Sequence, residues 1–267
     1  MKSLLKACLP HSWRAALRRV FPWRVGFLVG GTMKGGTTAL ASFLAKHPAL
    51  ALPGCKEAHH FDEDSRFPKG GRPDHSPYFR HFDIKPATRL LGDATPSYLF
   101  VPQCAPRAMA YNPAMKWVLL LRQPAERAYS HWNMQHRDKQ EPLSFEEALE
   151  AEPGLLARLG PNAGKFHAYA ERGFYARQLR RLFAVVPRRQ VLVLRSEELR
   201  DAHEETLRRV FRFLGVDERV EVAAATVFAH AYEKPMDAGL RARLTARFAE
   251  DMDDLERLLG WDLRAWR

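Results

Sequence analysis

The sequence predicts an α/β fold, a single domain in which a central parallel β-sheet is flanked by helices. Three observations carry this expectation. Short apolar runs of the kind buried on both faces recur along the chain, as in "VGFLVGG", "KWVLLL" and "QVLVLR". Each run is followed by a stretch with helical spacing of apolar residues, and that alternation sets successive strands parallel. A length of 267 residues, 46% of them hydrophobic, suffices for one large core.

Each element has its own signal. "RVGFLVGG" (24–31) reads as a buried strand, and "TTALASFLAKHP" places Leu40, Phe43 and Leu44 on one helical face before Pro48 stops it. Residues 88–93 and 116–122 are further strands. Pro124 opens a helix over 124–137, and Ser144 with Glu147 forms a capping box for the next one. Residues 166–184 follow a helical pattern and 190–195 a strand. Asp201 with Glu204 is expected to cap a helix running to Leu214. A last helix spans Asp237 to Leu259, with Gly260 as its C-cap residue. The Pro-, Gly- and charge-rich segments 49–87 and 150–165 read as active-site loops. Residues 1–23 form a basic N-terminal arm, with Trp13, Leu17 and Phe21 among arginines, which could touch a membrane surface. Residues 24–267 form the domain.

The formal net charge of +11 suits an anionic ligand, a nucleic acid or an anionic surface. No helix-turn-helix, zinc-finger or RNP signature supports nucleic acid. The cysteines, Cys8, Cys55 and Cys104, have no metal or disulfide spacing, and no run reads as a signal or membrane span, so the expectation is a cytoplasmic protein.

The chemistry concentrates in "GGTMKGGTTAL" (30–40). It joins a buried strand to a helix, as a P-loop does, but Thr37 and Thr38 follow the last glycine and the lysine, Lys34, lies inside the curl. Glycine-rich backbone and a helix N-terminus still make an anion seat. A P-loop kinase acting on a nucleotide or small molecule, the alternative reading, needs Mg²⁺ held by an acid at the end of a later strand. Here that strand ends in Arg122, a cation suited to a second phosphate.

With these residues in view, "KGGTTAL" resembles the 5′-phosphosulfate loop of sulfotransferases that use 3′-phosphoadenosine 5′-phosphosulfate (PAPS). "LLLRQPAERAYSHW" (119–132) is similar to that family's 3′-phosphate motif. "KEAHHFD" (56–62) and "GDATPSYL" (92–99) resemble segments of the heparan-type and related carbohydrate branch, and "LGWDLRAW" a common ending. The likeness spans roughly residues 24 to 266. Ala94 stands where several heparan-type enzymes carry lysine, and the cysteine pair of secreted relatives is absent; both departures fit a cytoplasmic, prokaryote-like member.

The resemblance implies a P-loop-NTPase-like sheet and transfer of a sulfuryl group from PAPS, without metal, to an acceptor hydroxyl on a glycan, glycolipid or glycoside. It implies that Lys34, Gly35, Gly36, Thr37, Thr38, Arg122 and Ser130 bind the nucleotide. Lys34 would also stabilise charge on the leaving oxygen. Glu57 matches the family's acidic base, and His59 or His60 could serve instead. Thr95 and Tyr98 would support the site, and Arg172, Gly173 and Tyr175 match a segment near the cleft.

Overall fold

The computed structural model describes residues 23–55, 57–68, 70–225, 232 and 234–267. The reading of the N-terminal arm as a membrane contact falls outside them, as does Lys56. Five parallel strands form one sheet in the order β2-β3-β1-β4-β5, with β1 Val25–Gly31, β2 Leu50–Ala51, β3 Leu90–Asp93, β4 Lys116–Leu121 and β5 Val191–Arg195. The central strand β1 is buried along nearly its whole length, as its unbroken apolar run requires. One face packs on α1 (Thr37–Leu44) and on a later helix, His203–Leu214, through Leu40, Phe43, Leu44, Val210 and Phe211. The other packs on a larger core that includes Trp117, Leu119, Tyr175, Phe248 and Trp266.

The remaining helices are α2 (Ser76–Phe79), α3 (Cys104–Tyr111), α4 (Pro124–Arg137), α5 (Phe145–Ala163), α6 (Tyr175–Phe183), α7 (Ser196–Asp201), α8 (His203–Leu214), α9 (Ala238–Arg247) and α10 (Ala249–Leu259). Pro124 opens α4, the Ser144–Glu147 capping box starts α5, and Gly260 ends α10 in the left-handed conformation at φ 68°.

Four expectations are corrected. Residues 150–163 are not a loop but the body of α5: Pro153 removes one N–H donor, the Ala, Leu and Glu residues around it carry the helix, and the break comes only at Gly160, φ 73°. Residues 166–174 hold short 3₁₀ turns, and the helix begins only at Tyr175. Asp201 caps nothing downstream; it ends α7 and pairs with Arg200, while α8 starts at His203 without a side-chain cap. The last helix is two, divided at Phe248, whose fully buried ring takes the bend into the core.

Strand β3 lies close to β1 because Gly92 faces Phe27 across the pair. A β-carbon on Gly92 would stand 1.9 Å from the Phe27 ring, which is itself fully buried. Gly92→Ala is therefore expected to destabilise the protein by about 1–3 kcal/mol through overpacking. Urea unfolding should show a lower midpoint with an unchanged slope; an unchanged midpoint would mean that β3 is free to shift.

Candidate functional site

The sheet order makes β1 the strand at which the chain changes direction, with β3 on one side and β4 on the other. Loops leaving the carboxyl ends of such strands diverge and leave a crevice. Three of the segments singled out in the sequence leave these ends: the loop 32–36, the turn 94–98 and Arg122.

The loop after β1 folds back so that Thr32 N–H donates to the Leu120 carbonyl and Gly35 N–H to that of Thr32, both at 2.9 Å. A β-carbon on Gly35 would lie 2.4 Å from the Leu120 carbonyl oxygen, so only glycine fits there. Lys34 and Gly36 take left-handed backbone, φ 67° and 97°. Gly36 is the N-cap of α1 and, as glycine, offers no side chain to cap it. The first-turn N–H groups and the positive end of the helix dipole therefore suit a phosphate. Thr37 is buried and Thr38 half-buried. The Lys34 ammonium reaches the Met134 sulfur on α4, 3.7 Å away.

On the β4 side, the Arg122 carbonyl accepts the Tyr175 hydroxyl at 2.8 Å, which fixes the backbone while the guanidinium stays partly exposed. Ser130 lies two turns along α4. Behind them Arg127 and Arg172 are fully buried. Arg127 donates to the carbonyls of Met33 and Tyr169, and Arg172 Nε to that of Lys165 at 2.9 Å. Burial, and then the Arg127 charge, push Arg172 down to about 9. Sequence reasoning read Arg172 through a likeness alone and could not tell that it lies inside.

On the β3 side an acid string emerges. Glu57 Oε2 lies 3.3 Å from His59 Nε2, and His59 Nδ1 donates to Asp62 Oδ2 at 2.9 Å. The same Asp62 oxygen accepts Ser97 Oγ at 2.6 Å and Lys165 Nζ at 2.8 Å. Asp62 is buried, which opposes its charge, yet bonds from His59, Lys165 and Ser97 hold its carboxyl well below the usual range. Bonds to Asp62 and Glu57 push His59 up to about 9 despite burial. His60 points the other way: it is buried, stacks on Tyr78 at 4.0 Å, and reaches His75 at 2.8 Å. Burial pushes it down to about 3.

Thr95 and Tyr98 brace this string. Both hydroxyls donate to the buried Asp93, at 2.9 and 2.5 Å, and accept the backbone N–H groups of His59 and His60. Glu57 and His59 hold left-handed φ of 62° and 47°, strained for residues with side chains. Asp62, Ser97, Lys165 and Asp93 were missed in the sequence, although Asp62 closes "HHFD" and Asp93 and Ser97 lie within "GDATPSYL". Among the described residues no cluster of three or more His, Cys, Asp or Glu side chains could hold a metal ion.

Comparison with known proteins follows the same lines. Residues 26–241 match the family model described as "Sulfotransferase domain". The structure of a sulfotransferase from Alicyclobacillus acidocaldarius superposes with a TM-score of 0.78 at 33% identity, covering 91% of this chain and 99% of that one. The membrane-associated sulfotransferase kil1 of Dictyostelium discoideum is 36% identical over 49% of this chain. A bifunctional heparan sulfate N-deacetylase/N-sulfotransferase 3 of Mus musculus is 27% identical over 90% of it. The chain spans only 28% and 31% of the length of those two relatives.

The placement of Arg122 yields a direct test. Arg122→Ala should weaken adenosine 3′,5′-bisphosphate roughly 10- to 100-fold, the range of a lost charge-assisted bond, while leaving 5′-AMP nearly unchanged. Titration calorimetry of both ligands checks it, and equal losses for the two would make Arg122 structural.

Proposed function

This chain belongs to the sulfotransferase family, and we propose that it transfers the sulfuryl group of PAPS to an acceptor hydroxyl on a carbohydrate or glycolipid. The observation that carries this reading is the emergence, from the same end of the sheet, of a glycine-rich anion seat at the start of α1 and the Glu57–His59–Asp62 string beside β3.

When bound, PAPS supplies the sulfuryl group, whose bond to the phosphate oxygen breaks as the bond to the acceptor oxygen forms. Backbone N–H groups of Gly35 to Thr38, with the two threonine hydroxyls, hold the 5′-phosphate. Arg122 and Ser130 hold the 3′-phosphate. Lys34 offers its ammonium to the oxygen that gains charge, an interaction stronger in the transition state than before it.

Glu57 takes the acceptor's proton. His59 is the weaker candidate for that task, because a group pushed up to about 9 already carries its proton at neutral pH. As an imidazolium between two carboxylates, it instead orients Glu57. Support for a sugar-bearing acceptor comes from the heparan-type relatives and from a cavity of about 550 Å³ lined by α5 and the segment that follows α4. Gln140, Glu141, Arg158, His167 and Tyr169 give it polar walls, and Leu143 and Leu155 apolar ones. Its Tyr169 ring packs on His131, one turn of α4 from the Met134 that meets Lys34. The motif likeness and the Alicyclobacillus structure favour a prokaryote-like member.

Glu57→Gln should leave bisphosphate affinity within about twofold and cut sulfate transfer roughly 10²–10⁴-fold. Transfer of labelled sulfate from PAPS to a panel of glycans and glycolipids measures this, and near-normal transfer would remove Glu57 as the base.

The pH dependence follows from His59. Its folded pKa is raised from 6.5 to about 9, so the contribution of its charged form is complete below pH 6.5 and is lost as pH rises through about 9. Transfer should therefore decline on the alkaline side near pH 9, and His59→Gln should lose that limb while working more slowly throughout. An unchanged alkaline limb in the variant would assign it to another group.

A further inference from the structure

Gln123, the N-cap of α4, and then Glu126 and Tyr129 on the helix follow one another at helical spacing and meet the chain around α9. The Gln123 amide donates to Thr245 Oγ1 at 3.4 Å, and the Tyr129 hydroxyl donates to the Lys234 carbonyl at 2.7 Å. Between these contacts, Glu126 stands between two arginines. Its Oε1 lies 3.1 Å from Arg241 Nε, and its Oε2 lies 3.9 Å from Arg122 Nη2. Leu244, one turn beyond Arg241, is buried and anchors α9.

This clasp is unbalanced. Two guanidinium groups share one carboxylate, and the contact to Arg122 is longer than a hydrogen bond. Both arginines and Glu126 are partly exposed, so a diffusing anion can reach them. Ser130 sits one turn beyond Glu126 on the same helix face. A phosphate beside Arg122 and Ser130 therefore comes within the neighbourhood of Arg241, and a dianion matches two guanidinium groups better than one carboxylate does.

We infer that Arg241 is a second cationic ligand for the 3′-phosphate, and that Glu126 is an internal competitor that holds both arginines until the phosphate takes its place. The exchange couples nucleotide binding to α9. Glu126 keeps the two cations from repelling each other in the free protein and lowers the affinity for the nucleotide in return. This rests on the reading of Arg122 as a 3′-phosphate ligand.

The experiment is calorimetric titration of adenosine 3′,5′-bisphosphate and of 5′-AMP into the full chain and its variants, with circular dichroism melts of each. Arg241→Ala should weaken the bisphosphate roughly tenfold and leave 5′-AMP within about twofold, with Arg241→Lys between the two. Glu126→Gln should tighten the bisphosphate by roughly 3- to 10-fold and leave 5′-AMP unchanged. Arg241→Lys keeps the charge and the helix surface, so it decides the matter if the alanine variant does not fold. Weaker bisphosphate binding in Glu126→Gln would overturn the competitor role, and equal losses for both ligands in the Arg241 variants would overturn the ligand role. If Arg122→Ala shows no selectivity for the 3′-phosphate, the reading beneath fails; if it does and the other variants do not, only this inference fails.

Discussion

The buried carboxylate of Asp93 holds the hydroxyls of Tyr78, Tyr98 and Thr95, and through them it fixes the loop that carries Glu57 and His59. Burial pushes its pKa up, so the charge is costly there, and the hydroxyl donors offset part of that cost. Tyr98 and Thr95 pass the constraint on by accepting the backbone N–H groups of His60 and His59. Positive φ at Glu57 and His59 persists because bonds from outside the segment over-determine it. The acid string is thus held from the end of β3, whereas the loop on its own would explore many conformations.

The parallel sheet does the rest of the positioning. Because β1 lies between β3 and β4, the glycine-rich loop, the Asp93 network and Arg122 leave the same edge within a few strand spacings of one another. The glycine-rich loop and Arg122 lie on one side of this crevice and the Glu57–His59–Asp62 string on the other. The cost appears in the interior. Arg127 and Arg172 lie buried near each other, and Arg172 Nη1 and Nη2 have no protein hydrogen-bond partner among the described residues. Two buried cations are costly, and their bonds to the carbonyls of Met33, Tyr169 and Lys165 offset part of that cost.

What the sequence by itself determined is what depends on near neighbours along the chain. Four of the five strands, the curl around Gly35 and Gly36, the Pro124 start of α4 and the Ser144–Glu147 box are local: each follows from side-chain size, backbone freedom or a bond three residues away. The loop and Arg122 were legible for the same reason, since each is announced by the strand before it. Local signals also misled, when Pro153 and Gly160 made a helix look like a loop and when Asp201 resembled a cap.

Tertiary structure alone decided the partners. Asp62 meets Ser97 and Lys165 across 35 and 103 residues, and Arg241 reaches Glu126 only because α9 docks on α4. Equivalent histidines in the sequence, His59 and His60, became a charged bridge and a buried neutral ring according to which side of the loop faced the core. A side chain's charge and role depend on its desolvation and on the groups packed against it, and those are set when distant elements dock, which no contiguous pattern records.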